Sequence, residues 1–265
     1  MTHETTGPDR PRLWRRLVRP VVRPVVSRLE DVVRQEADRV IREVLGAEFR
    51  ARRDILAAGE RAAAVAACEF QLRQMPTARP FHDALSTLRY GLGIAPDDGM
   101  ALEFGVFAGR SLRVIAECRP GKEVYGFDSF EGLPEDYRPH VRQGTFAVDR
   151  LPDVPGAEFV VGWFDETLPG FLEEHPGPVA FLHVDGDLYS SAKTVLDLVG
   201  PRLRAGSVVV FDEFFNFPGW EDHEYRAWTE WLEATGAAIE YVAYTQEDEQ
   251  VAVRILDPGT AAELT

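Results

Sequence analysis

The 265-residue sequence predicts an α/β fold: a doubly wound, mostly parallel seven-stranded sheet with an antiparallel edge hairpin and an N-terminal helical extension. Three observations predict it. From Gly99 onward, short apolar runs rich in Val and Phe alternate with stretches of helical length, the pattern of a parallel sheet covered on both faces. The runs Val179–Val184 and Ser207–Phe211 are apolar almost throughout, as strands buried on both faces are. Both close on acids, Asp185 and Asp187 after the first and Asp212 with Glu213 after the second, where open α/β sheets bind ligands.

The elements follow in chain order. Residues 1–53 form an arginine-rich helical arm with 13 Arg against 8 Asp and Glu. Val18, Val22, Val25, Leu29 and Val32 recur at four-three-four-three spacing, a helical stripe with coiled-coil character. Pro20 and Pro24 weaken any single continuous helix there. Residues 10–45 are therefore the candidate segment for peripheral membrane or coiled-coil contact, and a homo-oligomer is expected. A helix packed on its own domain, or a tail, is the plainer reading. Residues 54–96 form a helical lid or cover segment: alanine-rich from Asp54 to Leu72, broken at Met75–Pro80, and helical again over Phe81–Tyr90.

Residues 97–265 carry the main domain. Its expected strands are Ala101–Val106, Glu123–Asp128, Glu158–Val161, Val179–Val184, Ser207–Asp212, Ile239–Tyr244 and Val251–Leu256. Helices are expected over Arg110–Cys118, Asp165–Glu174, Ser190–Val199 and Trp220–Ala234. The turn Thr245–Gln250 is too short for a crossover helix, so the last two strands form an antiparallel hairpin at one sheet edge.

Bulk composition excludes several classes. The net charge is −15, and the positive excess lies in the arm, so the acidic body gives nucleic acid no basic footprint. Cys68 and Cys118 stand far apart without metal-ligand spacing, which fits a reducing cytoplasm. No run approaches the roughly 20 apolar residues of a membrane span. The start Met1-Thr-His-Glu lacks the basic-then-apolar order of a signal peptide.

A ligand site is legible in the loops. Glu103 ends the first main strand, Gly105 forms the turn and Gly109 opens a helix, so backbone can approach a ligand closely. The spacing departs from the dinucleotide fingerprint, and an acid at Glu103 suits a cationic ligand better than a pyrophosphate. Asp128 closes the next strand, placed to accept from both hydroxyls of a ribose, or else to cap a turn. Trp163 and Phe164 are candidates to flank a base, or core residues. For Asp185, Asp187, Asp212 and Glu213, three readings stand: a divalent cation between them, a base with a raised pKa, or helix caps.

Four motifs in order, over residues 95–256, add a resemblance. They are Leu102–Ser111, Gly126–Pro134, His183–Ser191 and Phe211–Gly219. Together they resemble class I S-adenosylmethionine-dependent methyltransferases and, more narrowly, the macrocin O-methyltransferase family. The resemblance implies a Rossmann-like methyltransferase fold and methylation of a hydroxyl, on a saccharide or glycosylated small molecule. It implies cofactor contacts at Glu103, Gly105, Phe107, Gly109, Ser111, Asp128, Ser129, Phe130, Trp163 and Phe164. It implies Mg2+ held by Asp185, Asp212 and Glu213, with Asp185 as the catalytic base and Asp187 in a structural role. Relatives of this kind carry Asp-Asp-Tyr where this chain has Asp212-Glu213-Phe214, and the longer Glu213 reaches outward by one methylene. Trp220 is a candidate stacking platform for a sugar, and His183 is expected to pack within its strand. The alternatives are metal-independent methylation of another nucleophile, or a cofactor-binding scaffold without catalysis.

Overall fold

The structure, a computed structural model, describes residues 19–260, with side chains from residue 27 onward. The chain divides into two compact units after Ala58. The first contains helix α1 (Arg19–Ala51), which runs unbroken through both prolines. Pro20 falls in the first turn, where an N–H has no intrahelical partner, and Pro24 removes only one bond further in. Of the expected stripe, Val18 and the side chains of Val22 and Val25 lie outside the described residues. Leu29 and Val32 are exposed. Among the described residues, no helix is long and apolar enough to cross a membrane.

The second unit, Gly59–Thr265, is built on one mixed sheet. Its strands are β1 (Arg79–Phe81), β2 (Met100–Phe104), β3 (Val124–Asp128), β4 (Glu158–Val161), β5 (Val179–Val184), β6 (Leu203–Phe211), β7 (Ala238–Thr245) and β8 (Val251–Asp257), in the order β1-β7-β8-β6-β5-β2-β3-β4. Helices α2 (Ile55–Gln74), α3 (Ala84–Ile94), α4 (Arg110–Cys118), α5 (Phe164–Glu174), α6 (Tyr189–Val199) and α7 (Glu224–Thr235) complete the chain.

Eight strands replace the expected seven. The extra one, β1, pairs parallel with β7 through Arg79 to Phe81, so the hairpin of β7 and β8 stands one strand in from the edge. Pro80 hid it, because proline reads as a breaker yet is tolerated in an edge strand. The helix expected from Phe81 starts instead at Ala84, after Asp83, whose carboxylate accepts from the Ser86 amide as an N-cap. Part of the expected lid or cover segment, 54–96, packs into the second unit. Ala63, Ala67, Met75 and Ala78 belong to the main core.

Side-chain alternation along each strand divides that core into two layers. Leu182, Val184, Val209 and Phe211 face the layer that holds Trp228 and Trp231 of α7. Phe181, Val208 and Val210 face α3 and α4, with Leu88, Leu112 and Ile115. The chain leaves β2 toward β3 and β4, then crosses back to place β5 on the other side of β2. The loops after β2 and β5 therefore part at a topological switch point, where a ligand crevice opens.

Gly105 makes that crevice possible. Its φ is +94°, and a Cβ there would stand 1.7 Å from the Asp185 carbonyl oxygen. The combined strain predicts that Gly105→Ala loses at least about 2 kcal/mol of stability in chemical denaturation. An unchanged midpoint would overturn this account of the loop pair.

Candidate active site

A cavity of about 740 Å³ opens at the carboxyl ends of β2 to β6. Its volume is that of a site for a cofactor-sized or drug-sized ligand. Gly105, Phe107, Ser111, Asp128, Ser129, Trp163 and Phe164 line one part of it, and Asp185, Asp187, Asp212 and Glu213 line another. Three expected cofactor contacts do not line it: Glu103, Gly109 and Phe130.

Asp128 organises the first part. Its Oδ2 accepts from the amides of Val106 and Phe107, both at 2.8 Å, and its Oδ1 accepts from the Phe130 amide at 2.6 Å. Phe107 and Phe130 are held at φ +47° and +59°, a region costly for aromatic residues. One carboxylate thus fixes two strained turns that border the cavity. A carboxylate offers about four acceptor sites, so capacity remains for a donor in the cavity. Phe107 packs edge-on to Phe146 at 5.5 Å, and Phe164 meets the buried Phe104 edge-on at 5.2 Å.

Glu103 takes a different place from the one its motif suggested. It is fully buried, and its Oε1 bonds His183 Nδ1 at 2.8 Å across the paired strands β2 and β5. Burial raises its pKa, while the His183 bond opposes the rise. His183 is buried as expected, with Nε2 3.9 Å from Asp212 Oδ1, so the pair lies beneath the acids of the cavity.

The acids converge. One carboxylate oxygen from each of Asp185, Asp212 and Glu213 lies within 4.8 Å of the others. Burial pushes Asp185 and Glu213 well above the carboxylate range, and the negative charge of Asp212 adds to both. Asp187, expected as a structural residue, lines the cavity at φ +62°, and burial lifts it to about 7 against the pull of Arg138. Glu213 Oε2 is buried without a hydrogen-bond partner. Oxygen donors crowded together, mutually repelling and partly orphaned, fit a hard divalent cation.

Two contributors escaped the sequence reading. Glu224, at the start of α7, is fully buried; its Oε2 accepts from the Glu213 amide at 3.1 Å, and its Oε1 has no partner. Burial and the charges of Asp212 and Asp187 raise it too. Its signal was only an acid in a first helical turn, where acids are common. Arg138 pairs bidentately with Glu249 and lies 3.5 Å over the Phe217 ring, joining three loops beside the acids. Nothing local in sequence marks it. Trp220 is not a platform for a sugar: it is buried against Phe70 and Tyr225.

The raised acids carry a sign. Asp187 holds its proton to about pH 7 when folded but releases it near 3.8 when unfolded, so native stability falls as pH rises through that window. In chelator, melting temperature is expected to drop between about pH 4 and about pH 7, and Asp187→Asn to shrink the drop. Asn tolerates the left-handed backbone there. An equal drop in both proteins would contradict the assignment.

Comparison with known proteins agrees with this geometry. A family model described as a methyltransferase domain matches residues 102–214. The tetracenomycin-C rhamnosyl 4'-O-methyltransferase of Streptomyces olivaceus is 31% identical over 159 residues, 49% of this chain and 59% of that relative. The demethyldecarbamoylnovobiocin O-methyltransferase of Streptomyces niveus is 36% identical over 156 residues, 49% of this chain and 58% of that relative. The chain thus spans less than two thirds of either. The crystal structure of a calicheamicin methyltransferase superposes with a TM-score of 0.52 at 28% identity, covering 64% of this chain and 76% of that one. Residues 102–214 accordingly match a methyltransferase domain on a Rossmann-like sheet, and the chain is similar over about half its length to O-methyltransferases named for natural products.

Proposed function

We propose that this chain transfers a methyl group from S-adenosylmethionine to a hydroxyl of a glycosylated small molecule, assisted by a divalent cation. The observation that carries the reading is one continuous cavity with a nucleoside-suited part at Asp128 and Trp163 and a cluster of oxygen donors at Asp185, Asp212 and Glu213. The printed names of the relatives, rhamnosyl 4'-O-methyltransferase among them, support the acceptor class.

Asp128 accepts from a ribose hydroxyl with the acceptor site its three backbone bonds leave. Trp163 and Phe164 flank the base, and Gly105 lets the backbone approach. S-adenosylmethionine, when bound, supplies a methyl group activated by positive sulfur. A cation held by Asp185, Asp212 and Glu213, when bound, supplies charge that stabilises a developing alkoxide. Asp185 would accept the hydroxyl proton as the methyl group passes from sulfur to that oxygen. With the cation bound Asp185 would be ionised and so able to take a proton, its roles as ligand and base shared or successive. Glu224 holds the Glu213 backbone from below, and the enclosing walls keep oxygen, carbon and sulfur aligned.

Labelled methyl transfer over a panel of glycosides, with magnesium and with chelator, tests the reading. Asp185→Ala is expected to lower turnover by about 100-fold or more while S-adenosylmethionine affinity stays within about threefold. Unchanged turnover removes Asp185 as the base. Calorimetric titration of magnesium should show one site in the wild type and none in Glu213→Gln with Asp212→Asn. Full activity in chelator would point to the metal-independent alternative.

A further inference from the structure

We propose that helix α1 is an association surface for a second copy of this chain, paired parallel and in register. From Leu29 on, four of its apolar residues recur at eleven-residue spacing, Leu29 with Val40 and Val33 with Val44, while Ile41, Leu45 and Phe49 form a separate exposed row. Ala51 extends the first row. Eleven residues are three helical turns plus only about 20°, so these rows run almost straight along a helix about 50 Å long. Leu29, Val33, Val40 and Val44 are between 50% and 66% exposed. A straight apolar seam of this period is buried best by a helix with the same period, and α1 is the helix that has it.

Charge chooses the occupant. Over Leu29–Ala51, where the seam lies, helix α1 carries four Arg against six Asp and Glu, so this stretch has little attraction for an anionic lipid surface. Charges of opposite sign predominate on the two flanks of the seam instead, with Glu43 on the arginine flank 3.9 Å from Arg39. Arg28, Arg39 and Arg50 each precede a residue of the first row, forming a basic border on one side. Glu30 and Glu48 follow Leu29 and Ala47 on the other side. Antiparallel pairing would set the arginine border against itself. Parallel pairing sets it against the glutamates, which fixes direction as flanking charges do in coiled coils. Glu36, the acid within the seam, is bonded by its own Arg39 at 2.8 Å and so does not oppose its counterpart bare.

Sedimentation velocity on the full chain at tens of micromolar is expected to give the mass of two or more copies. Val33→Glu with Val40→Glu should weaken association by at least about tenfold. Leu45→Glu, the same chemical change off the seam, should leave it unaltered, which separates loss of the interface from loss of the helix. In a Cys68→Ser, Cys118→Ser background, Val40→Cys should form a disulfide between copies, because parallel register brings the two Cα atoms within about 6 Å. A monomeric wild type overturns the proposal, whether it stays in solution or floats with vesicles of anionic lipid. Equal damage from Leu45→Glu overturns it as well. Association without the Val40→Cys cross-link overturns the parallel register.

Discussion

Repulsion among buried carboxylates at the switch point of the sheet is the constraint on which the rest of the second unit turns. Asp185 and Asp212 follow adjacent parallel strands, β5 and β6, so backbone pairing forces them together whatever their charges prefer. Glu213 and Glu224 arrive by the next turn and the next helix. The surrounding structure compensates locally: the Glu213 amide bonds Glu224, Arg138 sits beside Asp187, and His183 stands behind Asp212. None of these removes the excess negative charge. A fold that holds such a cluster is organised for a positive partner, and its apo state carries the strain as raised pKa values.

The other part of the cavity solves a different problem with the same residue type. Asp128 spends its carboxylate on three backbone amides and so keeps two left-handed aromatic residues in place. Binding and local backbone order are thereby carried by one side chain. A change at Asp128 alters both the acceptor of a ligand hydroxyl and the shape of the loops around it, and the two effects will not separate cleanly.

What was legible in the sequence follows the range of the interactions. Strands β4 and β5 and helix α4 match their expected bounds, because apolar runs and glycine turns are local signals. Motif residues at strand ends were legible for the same reason, since strand ends define the crevice. The bond from Glu103 to His183 was not legible, because the two residues are 80 apart and meet only through the pairing of β2 with β5. Arg138 and Glu249 are 111 residues apart, and neither has a neighbour that announces the pair. Trp220 was misplaced because aromatic residues near a site look alike in sequence whether they face ligand or core.

Strand β1 has a consequence beyond the strand count. It covers the outer side of β7 with three residues, one of which, Pro80, has no N–H to offer. The opposite border of the sheet, β4, is only four residues long. The outermost strands, β1 and β4, are too short to offer a long ladder of open backbone groups, whereas Ala238 to Val242 of β7 have no strand partner on the β1 side. Extension of the sheet by a strand from another molecule is thereby disfavoured at β1 and β4 but not along that stretch of β7.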